Sequence, residues 1–339
     1  MPTEKEYKVK KRYIVFGVLT LVCLAAAFCL GAARRGVTED DVRDYAAETF
    51  RGDAEDRYAQ LAFYCSEEDY LTPDGIMSVK NQLESAMTAE SIDPAGNYLL
   101  AASVEKEVSV SRDTATLSAI ATAYFGDYFG LHPDLPLKGG YVDESDATTE
   151  FCVIDDYTAW RLFGSIDVCG MDLEIDGKLY TVSAVLAADR GEYASYYGET
   201  PRVYILYSSG AMRDQNLCFT TAEAVLPDPI TDFAYDMFSE AVSGYSEDVQ
   251  VITGRFTPIE LWENIKGMTS LGVMEGQNFP YYENVARIRE TKCAMILVFE
   301  AVSWILAAVF LVTLIVLILR PIFKNFEEKR LAKKRHAIY

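Results

Sequence analysis

Two stretches near the chain ends constrain everything between them. Tyr13 to Ala33 is a run of 21 residues without a charged side chain, and Ala294 to Leu319 is a second apolar run broken only by Glu300. Helices rise about 1.5 Å per residue, so either run is long enough to cross a hydrocarbon core of about 30 Å. Residues 34 to 293 are therefore expected to fold as a body held between two membrane anchors.

The first run follows the basic stretch KEYKVKKR and ends in Gly31, Ala32 and Ala33, features shared with a cleaved leader. Its apolar stretch is long for a leader, and neither Cys23 nor Cys29 follows the small residue a lipoprotein site wants, so we read it as an uncleaved anchor. Lys5, Lys8, Lys10, Lys11 and Arg12 precede this span. Arg320, Lys324, Lys329, Arg330, Lys333, Lys334 and Arg335 follow the other. Basic residues stay on the cytoplasmic side, which predicts that tails 1–12 and 320–339 are both cytoplasmic and that 34–293 is extracytoplasmic, in a two-pass membrane protein. The basic C-terminal tail anchors this topology; the alternatives are that it lies along anionic lipid or touches a partner. Glu300, six residues into its run, is placed by that position at the interface, with a helix–helix contact as the alternative.

The remaining body is acidic: residues 34–293 hold 19 Lys and Arg against 46 Asp and Glu, a formal charge of −27. Such a field repels a phosphate backbone and argues against nucleic acid as a partner. The seven cysteines contain no CxxC and no disulfide framework; Cys152 and Cys169 occupy positions that read as small buried apolar residues, with one bridge among Cys65, Cys152, Cys169 and Cys218 as the alternative.

Periodicity organises the body. Thr38 before Glu39, Asp40 and Asp41 reads as a helix start with Val42, Tyr45, Ala46 and Phe50 on one face, a stalk beside the first span. Glu283 to Lys292, with Val285 and Ile288 together, reads as its counterpart leading into the second span. Arg57–Cys65 reads as a strand, and Thr72-Pro73 as the cap and first-turn proline of a helix to Met87 with Ile76, Val79, Leu83, Ala86 and Met87 inward. Strands 104–111 and 117–123 flank an Arg112-Asp113 turn. Phe219–Leu226 is a strand, Ile230–Val242 a helix with Phe233, Met237 and Phe238 inward, and Val249–Ile252 a strand. The expected fold class is α+β: a split β-α-β-β-α-β sandwich with an inserted small β-rich subdomain at about 125–215, between transmembrane helices 13–33 and 294–319.

Inside the insertion, Phe151–Ile154 is a strand, Asp155 or Asp156 caps a short helix bearing Ala159, Leu162 and Phe163, and Gly164 ends it. Gly170 permits a reversal. Met171, Leu173 and Ile175 then alternate with acids, and Asp176-Gly177 turns a hairpin into Tyr180, Val182 and Ala184.

These residues carry a resemblance. Gly139-Gly140-Tyr141, Val153-Ile154, Ala159, Leu162-Phe163-Gly164, Gly170, Ile175, Gly177, Tyr180, Val182 and Val185 resemble the MacB-like extracytoplasmic core domain of MacB/FtsX-type ABC-transporter permeases. The likeness is specific over 137–186 and looser over 38–292, and Ala184 replaces the family's usual glycine. It implies a split β-α-β-β-α-β subdomain carrying a small β-rich insertion. Permeases of that class continue with two more spans and a segment that meets the ATPase, whereas this sequence ends 20 residues after Leu319. The resemblance thus implies a non-catalytic, permease-like subunit or accessory of an ABC transporter or mechanotransmission system, beside a separate ABC ATPase and a full-length permease. The alternative is a stand-alone, membrane-anchored binding or scaffold protein whose acidic body holds a peptide or cell-envelope protein.

Enzymatic readings fail on chemistry. DLEIDGKLYTVS has Asp172, Glu174, Asp176 and Gly177 in calcium-loop order, but Ser183 stands where a bidentate Glu is needed. Gly177-Lys178 lacks the Ser or Thr and the glycine spacing of a phosphate loop. His132 and His336 are the two histidines, one before a proline and one in the basic tail. There is no GxSxG or HExxH motif, and the acidic pairs Asp155-Asp156 and Glu67-Glu68-Asp69 read as solvated surface. No catalytic residue, metal ligand or cofactor site is expected, and the chain is read as not an enzyme.

Overall fold

A computed structural model describes residues 4–38, 42–53, 55–65, 71–141, 150–188, 200–209, 217–245, 249–266 and 279–336. The expectations placed on Glu39–Asp41 and Glu67–Asp69 lie outside them. The chain forms two compact units: Met1–Asp40 with Phe256–Thr269 and Arg289–Tyr339, and Asp41–Arg255 with Ser270–Ile288.

The first unit is built on α1 (Glu4–Thr38) and the long terminal helix, which spans Tyr281–His336. Both are long and apolar enough to cross a membrane. They run antiparallel: Tyr13 donates to the Leu317 carbonyl at 3.1 Å, Phe16 faces Phe310, and Phe28 meets Trp304 edge-on with centroids 5.3 Å apart. Arg34 Nε lies 3.2 Å from Glu300 Oε2, so the acid makes a helix–helix ion pair instead of reaching the interface alone. Gly31 leaves the room for it, because a Cβ there would sit 3.0 Å from Glu300 Oε1. Arg34→Leu strands the acid among apolar neighbours and is expected to lower the yield of a Phe28→Cys/Trp304→Cys disulfide. Adding Glu300→Leu should restore that yield.

The second unit begins where α1 stops. Thr38 closes α1, its hydroxyl donating to the Arg35 carbonyl at 2.8 Å, and so does not open a stalk helix. A 3₁₀ turn (Val42–Tyr45) and α2 (Ala46–Arg51) follow, with Ala46 and Ala47 buried. The body comprises β1 (Tyr58–Tyr64), α3 (Pro73–Ala89), β2 (Leu99–Arg112), β3 (Ala115–Gly126), α4 (Tyr128–Leu131), β4 (Lys138–Gly139), β5 (Phe151–Asp155), α5 (Asp156–Phe163), β6 (Asp172–Ile175), β7 (Lys178–Leu186), β8 (Arg202–Leu206), β9 (Thr221–Pro227), α6 (Phe233–Val242) and β10 (Val249–Val251). Helix α7 (Pro258–Lys266) belongs to the first unit, and α8 is the terminal helix (Tyr281–His336).

Local chemistry sets several of these elements. Thr72 Oγ1 accepts from Gly75 N at 3.1 Å and Pro73 opens α3, whose Ile76, Val79, Leu83 and Met87 are buried. Asp155 Oδ1 accepts from Thr158 N at 2.6 Å, and Gly164 closes α5 in the left-handed region. Asp176 (φ 49°) and Gly177 (φ 78°) make the turn between β6 and β7.

The sheet order is β10-β1-β9-β2-β3-β8-β5-β7-β4. Strand β9 lies between β1 and β2, the two strands that α3 connects, and β10 pairs with the other side of β1. The inserted strands do not form a sheet of their own. Hairpin β2–β3 pairs without a break from Ala101↔Gly126 to Arg112↔Ala115, longer than the sequence suggests, and its far half enters a second set of strands. There β3 pairs β8, β8 pairs β5, β5 pairs β7, β7 pairs β6, and β6 returns to β2. This ring of six strands is closed, and its interior (Val110, Ala121, Ile154, Leu173, Tyr180, Val203) is continuous with the core under α3 and α6. The sequence suggests a separate module because its strands are short and local; the partner that closes them, β2, is 65 residues away, at Val110↔Ile175.

The opposite face of the sheet is covered by α2 and α4, through Ala46, Ala47, Tyr124, Tyr128, Leu131 and Val225. All seven cysteines are free thiols; Cys152 is buried, but Cys169 is exposed beside the Gly170 turn. At Gly139 (φ +74°) a Cβ would fall 2.0 Å from the Ser183 carbonyl oxygen. Gly139→Ala is therefore expected to weaken the body by at least about 1–3 kcal/mol in chemical denaturation, by combining an unfavourable φ with a backbone clash.

Candidate functional site

Along β9, alternation places Ala222, Ala224 and Leu226 in the main core and turns Thr221, Glu223 and Val225 to the other face. The Glu223 carboxylate is thereby delivered into a buried layer. Glu223 Oε2 is 2.8 Å from His132 Nε2 and accepts from the Tyr282 hydroxyl at 2.8 Å. His132 and Glu223 side chains are 4% and 5% exposed. The imidazole lies between the rings of Tyr128 and Tyr282, at 4.4 and 4.5 Å, and its Nδ1 has no hydrogen-bond partner among the described residues.

One residue along α8 a second polar group begins. Glu283 receives two bonds from Arg255, at 2.9 and 3.0 Å, and one from Arg287 Nε at 2.8 Å. Arg255 Nη1 also bonds Asp44 Oδ1 at 3.1 Å. Arg255, Asp44 and Glu283 are 7%, 6% and 2% exposed. Burial alone would raise the Glu283 carboxyl; Arg255, aided by Arg287 and a Tyr64 hydrogen bond, overrides it and holds the group below its ordinary value. Burial first, and then nearby carboxylates, push the hydroxyls of Tyr64 and Tyr282 well up, so both remain neutral donors. Gln60 contributes its side-chain oxygen to Ala46 N at 3.1 Å.

These groups enclose a cavity of about 10 Å³, which has room for about one water and no organic ligand. What the arrangement does chemically is fasten. The first seven residues of α8 are attached to four strands: Tyr281 lies under Arg202 of β8 at 3.6 Å, Tyr282 bonds Glu223 of β9, Glu283 bonds Tyr64 of β1, and Arg287 bonds Gln250 of β10 at 2.7 Å.

Asp155 and Asp156, which the sequence reads as solvated surface, are buried, at 5% and 7% exposure. Asp155 caps α5 and accepts from Arg202 N, Asp156 accepts from Ala188 N, Asp172 accepts from Thr181 and Asp176 from Ser109 N. Among the described residues no cluster of three or more His, Cys, Asp or Glu could hold a metal. His132, Glu223, Arg255, Asp44 and Tyr282 were not legible as a set. Two signals were present: a lone acid within the apolar strand TTAEAVLP, and an arginine closing the apolar run VQVITGR.

No protein-family model matches the chain, and no curated protein does. Among solved structures it is similar to the extracellular domain of the noncanonic ABC-type transporter YknZ from Gram-positive bacteria (16% identity, 57% of this chain and 99% of that one, TM-score 0.41). It is also similar to the periplasmic region of MacB from Actinobacillus actinomycetemcomitans (13% identity, 66% and 97%, TM-score 0.45). A domain of a putative permease protein from Porphyromonas gingivalis gives 14% identity, 58% and 88%, and a TM-score of 0.34.

Proposed function

We propose that this chain is a non-catalytic, permease-like membrane component that relays movement between its folded body and its membrane helices, with ATP hydrolysed by a separate ABC ATPase. In this reading residues 13–33 and 294–319 span the membrane, residues 34–293 form the extracytoplasmic domain, and both basic tails are cytoplasmic. The observation that carries the proposal is the fastening of α8. The helix that continues into 294–319 is bonded to β8, β9, β1 and β10 before it leaves the body. Asp44, Arg255 and Glu283 also each lie within six residues of a point where the chain passes from one unit to the other. Displacement of any of these three segments is transmitted to the others through one guanidinium.

The test is purification of the full chain from cross-linked native membranes, with mass spectrometry of what accompanies it. Recovery of an ABC ATPase, together with a change in its ATP turnover when Arg255→Met replaces the wild type, is the expected result. Recovery of the chain without an ATPase overturns the proposal.

A second reading is favoured by a groove of about 540 Å³ between α3 and α6, lined by Asp74, Met77, Asn81, Gln82, Met237 and Glu240. In that reading the chain is a membrane-anchored binding or scaffold protein and the groove is its binding surface. Groove substitutions such as Met77→Glu would then abolish its function while Arg255→Met would act only through stability.

A further inference from the structure

Helix α7, PIELWENIK, has two apolar arcs of which the body of its unit uses one. Leu261 is fully buried and packs with Phe256 and Ile265 against Val37 of α1 and against Cys293, Ala294 and Leu297 of α8. Ile259 and Trp262, on the neighbouring arc, are 75% and 48% exposed. A helix of nine residues gains nothing from leaving an isoleucine and a tryptophan in water when polar residues would serve.

The level at which α7 is held identifies what covers that arc. Val37 lies four residues beyond Ala33, about 6 Å past the end of the first apolar run; Leu297 lies three residues inside the second, about 4.5 Å from its start. The packed arc therefore brackets the ends of both spans. The Arg34–Glu300 pair lies at the same end of the unit. Tryptophan favours the layer between acyl chain and headgroup, where its ring is shielded and its indole N–H still finds acceptors. Glu260 and Glu263 are also exposed and supply the polar side such a helix needs.

We infer that α7 lies in the membrane interface on the side of the folded domain, with Ile259 and Trp262 set among lipid headgroups and upper acyl chains. The proposal rests on the two-span reading and adds a third, non-spanning lipid contact to it. In the same unit, Phe28 of α1 and Phe299 of α8 are 63% and 64% exposed.

Three tryptophans make the test direct: Trp160, Trp262 and Trp304. Full-length Trp160→Phe/Trp304→Phe, which keeps Trp262, is placed in phosphatidylcholine–phosphatidylglycerol vesicles whose lipids are brominated either near the carboxyl end or near the tail of the acyl chain. Trp262 is expected to lose more emission to the shallow bromines than to the deep ones, and to be less accessible to aqueous acrylamide than Trp160 is in the corresponding variant. Trp160→Phe/Trp262→Phe reports Trp304, ten residues into the second span, and should show the opposite depth preference. If Trp304 escapes both lipid quenchers the two-span reading fails. If Trp304 is quenched while Trp262 responds only to acrylamide, or to neither quencher, the interfacial helix alone is overturned. A second readout leaves every tryptophan in place: p-benzoylphenylalanine at position 259, illuminated in the same vesicles, is expected to label lipid, and labelling of protein or of nothing overturns the proposal.

Discussion

Replacing Arg255 with methionine is expected to destabilise the folded body by about 3–5 kcal/mol, because it leaves Asp44 and part of Glu283 buried without their guanidinium. The size of the effect comes from the stranded carboxylates more than from the lost attraction. The triple variant Asp44→Leu/Arg255→Met/Glu283→Met should therefore recover most of it, since a well-packed apolar set often replaces a buried ion network without loss. The pH dependence gives an independent check. The Glu283 carboxyl is held below its ordinary value of 4.5 in the folded chain. The stability it contributes is thus fully present above about pH 4.5 and is lost as pH falls through the folded value. Denaturant titrations of the full chain between pH 3 and 6 should show this acid-side loss in the wild type. The loss should be smaller in Arg255→Met, where burial acts on Glu283 with less to oppose it.

Ile154→Ala is expected to cost about 2–5 kcal/mol, the usual range for truncating a fully buried aliphatic side chain. More informative than the size is where the loss is felt. Ile154 lies inside the closed ring of strands, but that interior is continuous with the core beneath α3 and α6. Hydrogen exchange of the full chain should therefore show faster opening in β1 and β9 as well as in β5 and β7. Faster exchange confined to residues 127–209 would instead describe an independent insertion.

Much of the local structure could be read from the sequence because its causes are local. Thr72-Pro73, Gly164 and Asp176-Gly177 each determine a cap or a turn through their own side chain or φ, and the structure has each where the sequence puts it, while of the two acids offered as the cap of α5 it uses Asp155. What connects those pieces is set by burial over long separations. His132 and Glu223 are 91 residues apart, and Arg255 and Asp44 are 211 apart. No periodicity in either segment names its partner. Thr38 shows the limit at short range: a threonine before acids suits a helix start, yet the same hydroxyl can close the preceding helix by donating to the Arg35 carbonyl. Cys169 was misplaced for a related reason, since the Gly170 reversal that was legible also carries its neighbour out to solvent.

The ring of strands has one more consequence. A sheet invites aggregation along any border whose amide groups remain unmatched, and a ten-stranded open sheet would normally present two long ones. Among the described residues the borders have nearly vanished: one ends in the three residues of β10 and the other in the two of β4. Beyond β10, the exposed margin of β1 is stitched over as well, with Gln60 N bonded to Thr253 Oγ1 at 2.7 Å and its carbonyl to Ile252 N. Copies of this protein crowded together on a membrane surface would find little template for adding strands to one another.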